Sequence, residues 1–242
     1  MADHLRSAVG KITSFPVAPA GVLVNGDCSL DRGLPEDYAT LMQLMNPLVD
    51  AGLPIHLGLG NHDEREVFWT AIKNARPSAP AVASKHISVI EGGKANWFLL
   101  DSLEVTKQTP GRLGDEQRAW LAKALDARAD KPALVMVHHD PMLVETEKKT
   151  GLLDTAELLD VLLPRRHVKA LFYGHTHTWK LAEREGLHLI NLPAVAYTFK
   201  AGGLTGWANC HLRADGMSLE IQANDPKHSE HGKVSEFAWR AA

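Results

Sequence analysis

Ile55-His56-Leu57-Gly58-Leu59-Gly60-Asn61-His62-Asp63 is the stretch from which the rest of the chain can be read. An apolar run of about five residues reads as a buried strand and is too short for a helix. The polar tetrapeptide at its end falls where parallel α/β sheets place ligand sites, beyond the carboxyl ends of strands. Three further stretches share this build. Gly21-Val22-Leu23-Val24-Asn25 leads to Gly26-Asp27, residues 133–137 lead to His138-His139, and residues 168–173 lead to Gly174-His175-Thr176-His177. Asp, Asn and His offer oxygen and nitrogen donors suited to a divalent metal. Four such strand ends point to phosphate-ester chemistry around one or two metal ions.

The bulk properties narrow the class. The 242 residues fit one large domain, read as 1–242 with 225–242 as a C-terminal surface extension. The net charge of -3 comes from scattered Lys and Arg, with no basic stripe for a nucleic-acid groove. No apolar stretch approaches the ~20 residues of a membrane helix. Nothing after Met1 reads as a secretory signal, so the expected location is the cytoplasm, with Cys28 and Cys210 as reduced thiols.

Periodicity predicts helices over 3–12, 35–49, 64–73, 116–128 and 155–163. A hairpin is expected over 86–101 around Gly92-Gly93, and strands over 179–184, 187–192, 207–212 and 217–222. The early half is βαβ-like and the late half is hairpin-rich. The expected fold is therefore α/β, with two packed mixed β-sheets flanked by helices.

The clusters carry different weights. Asp27 can bridge two ions, and Gly26 lets backbone come close, although a Gly-Asp pair alone is usually a turn. Asn61 offers a neutral carbonyl oxygen. His62 and Asp63 can act as a pair, the carboxylate fixing the imidazole tautomer; the competing reading is a turn opening a helix, with Asp63 near its N-terminus. In extended chain His175 and His177 point the same way. His138 is the inward donor of its pair, and His139 is either a supporting group or without a role.

Taken together, Gly26-Asp27, Gly60-Asn61-His62-Asp63, His138-His139-Asp140-Pro141 and Gly174-His175-Thr176-His177 resemble the calcineurin-like metallophosphoesterase superfamily. The likeness spans roughly residues 21–196. The stretch from Gly111-Arg112-Leu113 through Trp120-Leu121 is similar to the class III cyclic-nucleotide phosphodiesterase branch. This resemblance implies a metallophosphoesterase-like β-sandwich and a phosphodiesterase acting on a small nucleotide-like ester. It implies iron, manganese or zinc, held at site two by Asp27, Asn61, His138 and His175, with His177 at site one. It also places His62 at the substrate phosphate, with Asp63 behind it. Substrate choice is expected from loops such as 145–151 and 198–206.

One part of the family pattern is missing. No Asp in the sequence is followed two residues later by His, so the family's first strand and its D-x-H motif are absent. Either the recorded chain starts at an internal methionine, or it is a variant that uses one metal. Both imply a better occupied site two than site one, impaired activity, and an open sheet edge that favours self-association. The alternative function is a non-catalytic metal- or phosphate-binding module on the same scaffold.

Overall fold

Strands β5 (Ala133–Met136) and β6 (Val168–Tyr173) are buried on both faces, as near-continuous apolar runs require. The computed structural model describes residues 1–76, 78–142 and 149–241. The loop 145–151 expected to set specificity falls mostly outside them. Before β5 come α1 (Ala2–Thr13), β1 (Val22–Val24), α2 (Pro35–Asp50), β2 (Ile55–Leu57), α3 (Arg65–Ala71), β3 (Ser88–Glu91), β4 (Asn96–Leu99) and α4 (Asp115–Asp126). Helix α5 (Thr155–Leu162) joins β5 to β6. Then follow β7 (Lys180–Arg184), β8 (Leu187–Asn191), β9 (Gly206–Leu212), β10 (Gly216–Ala223) and β11 (Val234–Ala238).

Six strands form the main sheet in the order β3-β4-β5-β6-β8-β7. Its central pairs are parallel, and β3 and β7 are antiparallel edges. Alternation along the strands sends side chains to opposite faces. Val135, Leu171 and Leu189 pack on Leu121 and Leu125 of α4 and on Leu158 and Leu162 of α5. Leu134, Ala170, Phe172 and Ile190 face the other way, against Met217, Leu219, Phe237 and Leu23. A second layer therefore covers this face, and the α/β sandwich expected from sequence is present. That layer is in two pieces: the antiparallel β11-β10-β9 sheet and the parallel β1-β2 pair. Among the described residues β1 bonds to β2 alone. Helices α1 and α2 cover the outer side of this pair through Val9, Ile12, Met45 and Leu48.

Two local departures have clear causes. Helix α3 starts after Glu64, whose carboxylate accepts from the Val67 N–H at 2.6 Å and serves as the N-cap. Residues 225–242 are more than a surface extension. Strand β11 pairs with β10, and Phe237 enters the core. Arg240, 7% exposed, donates to the carbonyls of Val168, Leu162 and Arg165 at 2.9–3.0 Å. With Phe237 its sole buried apolar side chain, β11 has too weak a period to read from sequence.

His86 ties the β2 strand to α3. Its Nδ1 accepts from Trp69 Nε1 at 3.0 Å, and its Nε2–H donates to the Leu57 carbonyl at 2.9 Å, which fixes the neutral tautomer. Burial lowers its pKa below the ordinary value of 6.5. The folded value is depressed, so this stabilisation is present above 6.5 and is lost as pH falls toward the folded value. The urea midpoint of the wild type is expected to drop more steeply between about pH 7 and pH 5 than that of His86→Gln. Parallel pH dependence in the two proteins would assign the loss to other groups.

Candidate metal centre

The four polar clusters sit at neighbouring strand ends because their strands are parallel neighbours within each sheet. Gly58 N–H donates to the Val24 carbonyl at 2.8 Å, and Gly174 N–H to the His138 carbonyl at 2.9 Å. At the join, two glycines allow backbone to meet backbone. A Cβ on Gly26 (φ 89°) would lie 2.6 Å from the Gly60 nitrogen and 2.7 Å from His138 Nδ1. A Cβ on Gly60 would lie 2.5 Å from the Asp27 nitrogen and 2.7 Å from His138 Cε1. Real side chains cannot approach so closely, so both positions require glycine.

This contact brings Asp27 and His138 together and sets Asn61 beside them. His138 Nδ1–H donates to the Asn25 carbonyl at 2.7 Å, which leaves the lone pair on Nε2. That Nε2 lies 3.4 Å from Asp27 Oδ1. Asp27 Oδ1 also accepts the His62 N–H at 3.1 Å, so the residues on either side of Asn61 both touch Asp27. Asn61 Oδ1 and His138 Nε2 are buried and have no hydrogen-bond partner among the described residues. Burial alone would raise the Asp27 pKa, but His138, the His62 N–H and the other imidazoles outweigh it and hold it low. The atoms left over are a carboxylate, an amide oxygen and an imidazole lone pair. All are acceptors, and a cation is what such a group lacks. Donor chemistry and orphaned atoms therefore fit a divalent ion. The cage is not closed: among the described residues no three His, Cys, Asp or Glu side chains gather closely enough to hold one.

His175 and His177 reach the same region by a different backbone from the one expected. Both have positive φ, at 67° and 52°, and Thr176 N–H donates to the Gly174 carbonyl at 2.7 Å. The segment is a tight turn, so extended-strand alternation does not set their directions. The His175 ring lies 5.4 Å from that of His138 and 4.8 Å from that of His139. Burial, together with His138, pushes its pKa down to about 4. Burial also lowers His177, against the pull of Asp27. Both imidazoles are neutral at neutral pH, the form that binds metal.

The expected His62–Asp63 pair does not form. His62 Nδ1–H donates to the Leu30 carbonyl at 3.0 Å. Asp63, 0% exposed, turns inward and accepts the N–H groups of Gly60 at 2.8 Å, Ser29 at 3.0 Å and Cys28 at 3.1 Å. Burial, aided by the Asp27 charge, pushes its pKa up to about 7 despite those donors. Asp63 is sealed from substrate and clamps the Asp27 turn to the Asn61 turn.

His139 is closer to the site than its sequence suggested. It is fully buried, Ser102 Oγ lies 2.7 Å from its Nδ1, and burial drops its pKa to about 2. Asn25 also escaped notice: its carbonyl orients His138, and its Nδ2 is buried without a partner among the described residues. Its place directly before Gly26 was the available signal.

Comparison with known proteins places this geometry in context. A family model described as calcineurin-like phosphoesterase matches residues 3–179. A 3',5'-cyclic adenosine monophosphate phosphodiesterase of Pseudomonas aeruginosa is 29% identical over 75% of this chain; the chain spans 62% of that protein's length. A probable cyclic nucleotide phosphodiesterase of a Synechococcus strain is 31% identical over 82% of this chain and 74% of its own length. A dimetal phosphatase from Danio rerio superposes with a TM-score of 0.77 at 17% identity, covering 99% of this chain and 89% of that one. That last likeness speaks for the fold.

The Asp63 clamp separates a structural role from a chemical one. Asp63→Ala leaves three buried N–H groups without an acceptor, at roughly 1–3 kcal/mol each before relaxation. Unfolding in urea should register a loss of about 3 kcal/mol or more, partly recovered in Asp63→Asn. An Asp63→Ala protein as stable as the wild type would return Asp63 to a chemical role.

Proposed function

Since this chain belongs to the calcineurin-like phosphoesterase family, we propose that it is a metal-dependent phosphodiesterase acting on a small, nucleotide-like phosphoester. The observation that carries this reading is a pair of buried acceptors without partners among the described residues, Asn61 Oδ1 and His138 Nε2, the latter 3.4 Å from the Asp27 carboxylate. Asp27, Asn61, His138 and His175 would hold one ion at site two. Asp27 and His177 are what the chain offers toward a second. Iron, manganese and zinc all suit this mixture of oxygen and nitrogen donors. A bound divalent ion supplies charge neutralisation on phosphoryl oxygens and a water of lowered pKa.

The protein's own groups divide the remaining work. Asp27 and Asn61 fix the position of the positive charge, and hence of the phosphate. His138 is held in the Nδ1–H tautomer by Asn25, so its Nε2 needs no reorganisation. His62, anchored through Nδ1 to the Leu30 carbonyl, keeps Nε2 free. As imidazolium it can pair with the phosphate, or pass its Nε2 proton to the departing oxygen. Asp63 positions His62 and Asn61 by clamping their turn.

We propose that residues 1–242 by themselves turn over weakly, because they supply only Asp27 and His177 to site one and loss of one preorganised charge-stabilising group costs roughly 10²–10³ in rate. The open cage favours a second reading, a metal- or phosphate-binding module without turnover. No described helix is long and apolar enough to cross a membrane. We further propose a cytoplasmic location with Cys28 and Cys210 as free thiols, and self-association through the edge of β1 that has no partner among the described residues.

Hydrolysis of bis(p-nitrophenyl) phosphate with and without added manganese tests the proposal. Slow, manganese-dependent turnover is expected, falling by about 10²–10³ in Asn61→Ala and His138→Ala. Manganese binding without turnover would establish the second reading, and turnover untouched by either substitution would overturn the site.

A further inference from the structure

The loop 194–205 carries features that phosphate chemistry does not use. Its stem is closed by a bridge between Ala194 and Thr205, and Gly206 N–H donates to the Ala194 carbonyl at 2.9 Å. Asn224 Nδ2 donates to the Val195 carbonyl at 2.7 Å, and His4 Nδ1 contacts the Ala196 carbonyl at 2.9 Å. The stem is therefore fixed from two sides, by α1 and by the end of β10.

The tip lies against the candidate metal centre. The Phe199 ring stacks on His177, with centroids 4.4 Å apart and planes 13° from parallel. Tyr197 stands edge-on to both rings, at 4.5 Å from His177 and 5.6 Å from Phe199. Despite these contacts Phe199 remains 72% exposed. One face meets His177 and most of the rest of the ring meets solvent, which leaves a flat apolar face open to a planar ligand. Beneath the loop, a cavity of about 380 Å³ runs from His177 past Trp179, Thr198, Lys200, Leu204 and Glu230. That volume falls within the range of small-molecule sites, and its lining is mostly polar, with Trp179 and Leu204 as its apolar side chains.

We infer that loop 194–205 is the specificity element of this site, and that the free face of Phe199, backed by Tyr197 and His177, is a stacking platform for the planar heteroaromatic base of a nucleotide. The inference rests on the phosphoester reading above and deepens it by naming the group that the ester carries. A ring stacked on His177 lies beside any phosphate bound near that residue. A base on the outer face of Phe199 would thus sit on the same rim as the phosphate. Stacking tolerates any base, since every base has a π-face, so the platform selects for a base over none more than for one base over another.

Calorimetric titration of the full chain with adenosine 5'-monophosphate, ribose 5-phosphate and inorganic phosphate, in the presence of manganese and in its absence, tests this. The wild type should bind the nucleotide about ten-fold more tightly than ribose 5-phosphate, in line with the usual worth of base–aromatic stacking. Phe199→Ala should abolish that preference and leave the two base-free phosphates unchanged, while Phe199→Trp should restore it. Phe199 is largely exposed, so the substitution leaves the core intact. Equal affinity for nucleotide and sugar phosphate in the wild type, no nucleotide binding at all, or a preference that survives Phe199→Ala overturns the inference. A base preference without phosphodiester turnover would sink the hydrolase reading and keep the platform. Turnover without a base preference would do the reverse.

Discussion

Gly26 and Gly60 meet backbone to backbone at the ends of β1 and β2, in a space that no side chain could share. The Asp63 carboxylate locks that contact by accepting N–H groups from both turns. The rest of the site follows. With the turns pressed together, His62 N–H reaches the Asp27 carboxylate and Asn61 is held beside it. The Asn25 carbonyl, one residue before Gly26, reaches His138 from the main sheet and chooses its tautomer. The glycine contact holds the β1-β2 pair together, and the Asn25–His138 hydrogen bond joins that pair to the large sheet.

Buried acceptors without donors are costly, and a fold that collects several at one point is under electrostatic tension. Under the proposed function a cation would relieve that tension, and the lowered pKa values of His175 and His177 leave their imidazoles neutral at neutral pH. The rim has a different character. Leu30, on the His62 side, and Phe199, on the His177 side, are both exposed apolar groups.

Much of this architecture was legible because the main sheet is parallel and buried. Runs such as Ala133–Met136 and Val168–Tyr173 have no competing helical reading at their length, and each delivers a His or Gly-His cluster at its end. The places of Asp27, Asn61 and His138 beyond strand ends are legible for the same reason. What escaped depends on contacts distant in sequence or on local backbone. The direction of Asp63 is set by N–H groups of Cys28 and Ser29, 34–35 residues away. The His175–His177 geometry is set by two positive φ angles, which a non-glycine sequence does not announce. Strand β11 has one inward apolar residue, Phe237, and takes its place by pairing with β10. Phe199 sits in a loop without period, and only its stacking on His177 gives it meaning.

The central claim is that Asp27, Asn61 and His138 form one cation site. Manganese retained per chain after equilibrium dialysis, compared between wild type and His138→Ala, tests it most directly. The account predicts a single ion held by the wild type and almost none by the variant, with folding unchanged by circular dichroism. Equal retention in the two proteins, or none in the wild type, would contradict it.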